Sequence, residues 1–92
     1  SEGKITEIYM KLARLTEQLH GARNFTGGRS ISPEHMERGY HHAFVIDFDN
    51  WENLKRYADH ADHKAISLEL IENATDQHEG IIVLDLEIAD TA

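Results

Sequence analysis

The 92-residue chain has no cysteine, one proline and no apolar run approaching the ~20 residues that a membrane-spanning helix needs. Without cysteine there is neither a disulfide framework nor a thiolate metal site, which fits a reducing compartment, and a cytoplasmic location is expected. The first residues do not read as a signal-peptide core, and no membrane partner is expected. Positive charge is also sparse: nine Lys and Arg stand against 17 Asp and Glu, a net charge of −8. Arg14, Arg23, Arg29, Arg38 and Arg56 never form a run, so the basic stripe that a phosphate backbone requires is missing and nucleic acid is not an expected partner. What remains, 40% hydrophobic and 28% charged, describes one globular domain over residues 1–92.

Ile5, Ile8, Leu12, Leu15 and Leu19 recur at alternating spacings of three and four. They form one face of an amphipathic helix from about Ile5 to His20, with Gly21 suited to the left-handed residue that ends it. Residues Ala22–Ser30 read as a strand in which Gly27-Gly28 marks a bulge or a close backbone approach. Ser32-Pro33-Glu34-His35-Met36-Glu37 reads as a short turn of helix, with Ser32 capping and Pro33 at its first position.

Tyr40–Phe48 is the strongest strand, with Tyr40, His42, Phe44, Ile46 and Phe48 in phase. Ala43 and Val45 make its other face apolar too, which predicts a central strand covered on both sides. Asp49 with Glu52 is a capping box for a helix whose inner face carries Trp51, Leu54, Tyr57 and Ala58. After a break near Asp59–Asp62 a second helical segment runs from about His63 to Ala74 with Ile66, Leu70 and Ile71. A final strand is expected over Gly80–Ile88, with Ile82, Leu84, Leu86 and Ile88 on one face and Asp85 and Glu87 on the other.

The order helix, strand, strand, helix, strand is a β-α-β-β-α-β ferredoxin-like unit without its first strand. Five segments in order carry a closer resemblance: Phe25-Thr26-Gly27-Gly28-Arg29, Ser32-Pro33-Glu34, Gly39–Phe48, Tyr57–His63 and Ile82-Val83-Leu84-Asp85. Over about Leu19–Ile88 the chain resembles the stress-responsive dimeric α/β-barrel domain family. It departs from that pattern at His60-Ala61-Asp62-His63, where the family has His-Pro-x-His. The resemblance implies an α+β, ferredoxin-like fold, a homodimer closing a barrel between two sheets, and no cofactor. The absent first strand is expected either upstream of Ser1, the favoured reading, or from a partner chain.

Three groups of residues can carry chemistry. His42 on the strand either orients a ligand oxygen in a pocket or is a hydrogen-bonded core histidine; with Phe44 and His60 it is expected to line a ligand pocket. Tyr57, His60 and His63 share a face of the helical segment. In a plant family member, a polyketide cyclase, the matching tyrosine and second histidine are the catalytic pair. The resemblance therefore implies His63 as a base beside a carbonyl and Tyr57 as hydrogen-bond donor to the enolate. The bland alternative is that these residues cap and pack helices. His60, His63, Asp59 and Asp62 also offer metal-ligand types, but in a spacing that marks at most an adventitious ion, and no metal site is assigned. Two functions stay open: a non-catalytic dimeric barrel, with or without a small hydrophobic ligand, and a cofactor-independent enzyme of cyclase or monooxygenase type. A cavity of at least ~300 Å³ lined by His42, Tyr57 and His63 would favour the enzyme.

Overall fold

The computed structural model describes residues 2–88. Helix α1 (Glu2–Gln18) is followed by strands β1 (Ala22–Arg29) and β2 (His42–Phe48), helices α2 (Trp51–Asp59) and α3 (Ala61–Glu72), and a 3₁₀ turn over Gln77–Gly80. The expected apolar face of α1 is the centre of the molecule. Ile8, Leu12 and Leu15 are buried together with Tyr57 of α2 and Ile66 of α3, and Leu19, Phe44, Ile46, Phe48, Leu54 and Leu70 pack around them. Lys4 and Lys11 of α1 both reach Glu69 of α3, at 2.5 and 2.8 Å, tying the two helices side by side. Gly21 takes φ +79° after α1, as its lack of a Cβ permits, and its carbonyl accepts the Asp49 amide proton.

Strands β1 and β2 form an antiparallel pair running from Ala22 opposite Phe48 to Arg29 opposite His42. The bulge lies not at Gly27-Gly28 but at Asn24-Phe25, where the register shifts between Arg23 and Thr26. Asn24 supplies the left-handed conformation there (φ 58°), and its amide bonds Asp47 across the strands. Gly27 answers the other expectation, close approach: a Cβ there would lie 2.9 Å from the Tyr9 ring. That ring sits edge-on to Phe25 and Phe44, each 5.8 Å away, and its hydroxyl donates to the Ala43 carbonyl.

Several expectations need correction. Among the described residues only one face of β2 is covered: His42, Phe44, Ile46 and Phe48 are half-buried under the helices, whereas Ala43, Val45 and Asp47 are exposed. Among the described residues β2 pairs with β1 alone, in a two-stranded sheet. Residues 81–88 form no strand. In a ferredoxin-like sheet the last strand bonds to the first one, and among the described residues no strand precedes α1. Ile82, Val83, Leu84, Leu86 and Ile88 are 59–80% exposed. The cap of α2 is Asn50 rather than Asp49: its side chain accepts from the Asn53 amide, and Asn53, not Trp51 or Ala58, joins Tyr57 in being buried. The expected helical turn over Ser32–Glu37 is not a helix: Pro33 and Glu34 form a turn in which the Ser32 hydroxyl accepts from the Glu34 amide.

Candidate functional site

The break between α2 and α3 is a piece of hydrogen-bond accounting. In one unbroken helix the Asp62 amide would donate to the Ala58 carbonyl, four residues earlier. Here His60 leaves the helical region (φ −65°, ψ 135°), and its Nδ1 accepts the Asp62 amide proton at 3.0 Å as the N-cap of α3. The orphaned Ala58 carbonyl faces Nδ1 of His63 at 3.1 Å. A carbonyl oxygen only accepts, so Nδ1 of His63 carries the proton. The Ser67 hydroxyl lies 3.2 Å from Nε2 of the same ring. His60 thus caps the start of one helix and His63 the end of the other.

The same break brings Tyr57 and His63 together, with ring centroids 4.2 Å apart and planes tilted by 46°. On the other side Tyr57 packs against Phe48 at 5.1 Å. The tyrosine is buried, and burial pushes its phenol up to about 12, so it is a proton donor at any physiological pH. Its hydroxyl makes no hydrogen bond among the described residues, whereas Tyr9 and Tyr40 both donate to carbonyls.

The other expected site residues lie elsewhere. His42 stands at the far end of β2 from Phe48, six residues and ~20 Å along the strand. It faces Glu2 of α1 at 3.6 Å, and Arg29 bonds the same carboxylate at 2.6 Å. Phe44 is occupied by its contacts with Tyr9 and Phe25. His42 borders an open groove of about 300 Å³ with Thr26, Gly28, Tyr40, Ala43 and Val45, largely on the bare side of the sheet. His60 borders a second open groove, of about 520 Å³, with Leu19, Glu52, Lys55, Arg56 and Asp59. Tyr57 and His63 line neither. The structure therefore joins Tyr57 to His63, sets His60 beside them as a cap, and leaves His42 and Phe44 apart. Among the described residues no three His, Asp or Glu side chains converge as metal ligands, and no helix is long and apolar enough to cross a membrane.

Two participants escaped the sequence reading. Ser67 follows His63 by four positions on α3, a spacing that places the two side chains on one face and was legible in principle. The Ala58 carbonyl has no side-chain signature; only the position of the helix break exposes it.

Comparison with known proteins places these features. No curated protein matches the chain. A crystal structure of a dimeric ferredoxin-like protein of unknown function from Jannaschia sp. CCS1 superposes with a TM-score of 0.89 at 28% identity. The match covers 95% of this chain and 84% of that one, so the fold is ferredoxin-like α+β. The model of the stress responsive A/B barrel domain matches residues 1–88, and the chain belongs to that family.

Proposed function

We propose that this chain works as one half of a homodimeric barrel, a non-catalytic assembly that holds at most a small hydrophobic ligand between its sheets. The observation that carries this reading is the apolar surface left uncovered. Val45 on the bare sheet face and Ile82, Val83, Leu84, Leu86 and Ile88 are all more than half exposed. Isolated exposed apolar residues are ordinary, but this many, five of them within seven positions of the sequence, call for a cover on so small a domain. A two-fold axis that lays one sheet on another supplies it with the same surface from each copy. The dimeric state of the Jannaschia relative supports this. A stress role and a cytoplasmic setting belong to the same reading. Sedimentation at micromolar concentration tests it: the wild type should run as a dimer, and Leu84→Glu with Leu86→Glu should shift it to monomer. A wild type that stays monomeric sinks the reading.

A second reading is favoured by the contact between Tyr57 and His63. A phenol that keeps its proton, packed against an imidazole whose Nδ1 proton is already committed, matches the donor and base of a cofactor-independent carbon-acid reaction. Nε2 of His63 would take the proton next to a carbonyl, and Tyr57 would donate to the enolate oxygen. Deuterium uptake into an aryl methyl ketone checks it. Exchange above the buffer rate should fall ~10²-fold or more in His63→Gln, within the usual range for a positioned acid or base. Exchange no faster than buffer rejects the enzyme.

A further inference from the structure

Serine and threonine inside helices commonly turn their hydroxyl back to the carbonyl four residues earlier. Thr6 does so to Glu2 and Thr16 to Leu12, at 3.0 and 2.8 Å. Ser67 does not. Its hydroxyl points to the side chain of the residue four back, Nε2 of His63. Because Nδ1 of that ring must carry its proton toward the Ala58 carbonyl, Nε2 of the neutral ring bears the lone pair and Ser67 donates to it. Carbonyl, imidazole and hydroxyl thus form one directed line: Ala58 C=O accepts from Nδ1–H, and Nε2 accepts from Ser67 Oγ–H.

We infer that Ser67 is a positioning residue for His63, and that with the Ala58 carbonyl it holds the neutral imidazole in its Nδ1–H form with Nε2 as the basic nitrogen. Ser67 is half-buried, and its hydroxyl is the hydrogen-bond partner of that nitrogen. A proton arriving from outside passes to Nε2 either after Ser67 rotates away or through its oxygen, which gives its own proton to Nε2 as it takes the new one. Atoms balance in both routes, with no other reactant. The consequence for carbon-acid chemistry rests on the second reading above, but the state of the imidazole does not.

Nitrogen-15 NMR of the histidine-labelled protein tests this on the neutral ring. The His63 spectrum should show a protonated Nδ1 and an unprotonated Nε2. In Ser67→Ala the Nε2 resonance should move downfield as its hydrogen bond is lost, with Nδ1 unchanged, and Ser67→Thr should restore it. Ser67→Ala leaves both helix caps in place, so it keeps the fold needed for the comparison. A proton on Nε2 in the wild type, or an Nε2 resonance indifferent to Ser67→Ala, overturns the proposal. Either result leaves the ketone-exchange test standing: exchange lost in His63→Gln with a protonated Nε2 would mean that the base acts without this positioning.

Discussion

Ala58 and Asp62, bonding partners in any unbroken helix, are each held by a histidine instead: the Ala58 carbonyl by Nδ1 of His63, the Asp62 amide by Nδ1 of His60. The His-x-x-His element is thereby a splice between two helices before it is anything else, and its stability can be measured.

Replacing His60 with alanine removes the N-cap acceptor of α3. The expected cost is about 1 kcal/mol, as for other N-cap losses. In a domain of this size that lowers Tm by roughly 4–8 °C. His60→Asn should recover most of it. Thermal unfolding at one fixed protein concentration decides; an unchanged His60→Ala would mean that the Asp62 amide is satisfied by water.

Gly27→Ala and Gly3→Ala should move stability in opposite directions. A Cβ at Gly27 meets the Tyr9 ring, pinned by Phe25, Phe44 and the Ala43 carbonyl, so overpacking should cost about 1–3 kcal/mol. Gly3 lies in α1 with open space around it, and alanine there should add about 0.5–1 kcal/mol. Urea midpoints of the two variants against wild type test the pair, and a tolerated Gly27→Ala would place Tyr9 off the strand.

Burial raises the Tyr57 phenol from an ordinary 10.0 to about 12. Between those values the unfolded chain has lost this proton and the folded chain keeps it, so stability is complete below pH 10 and falls as pH rises toward 12. The contribution is on the order of 2 kcal/mol. Tyr57→Phe should flatten that part of the alkaline profile relative to wild type. Parallel profiles would show a hydrated phenol.

Glu69 titrates on the other side. Hydrogen bonds from Lys11 and then Lys4 hold its carboxyl below the ordinary 4.5. Its contribution is present above that value and is lost as pH falls through the lowered one. Glu69→Gln should make the acid profile shallower, and added salt should shrink the difference, since the lysines are partly solvated. An acid profile unchanged by Glu69→Gln would assign acid sensitivity to other carboxylates.

The amphipathic stripe of α1 was legible because a 3-4 spacing of aliphatic residues leaves little choice of buried face. The inward phase of β2 was legible for the same reason at period two. The bulge was not, because Gly27-Gly28 draws the eye while Asn24 does the turning, and asparagine tolerates the left-handed region almost as a matter of course. The cap moved by one residue because Asp49 and Asn50 are chemically equivalent candidates. At the site, the spacing of Tyr57 and His63 put them on one face, but the reciprocal caps depend on where the backbone leaves the helix, and no side chain announces that. The segment after Gly80 reads as a strand by its pattern, yet a strand exists only where a neighbour offers hydrogen bonds.

Ile82-Val83-Leu84, exposed after Gly80, is apolar, uncharged and free of proline, the composition from which steric zippers assemble. The chain does not leave it unguarded. Asp85 and Glu87 interrupt the apolar sequence just where stacking in register would place like charges above one another every ~4.8 Å. Carboxylates so placed oppose fibre growth by like-charge repulsion and leave side-by-side pairing with a discrete partner open.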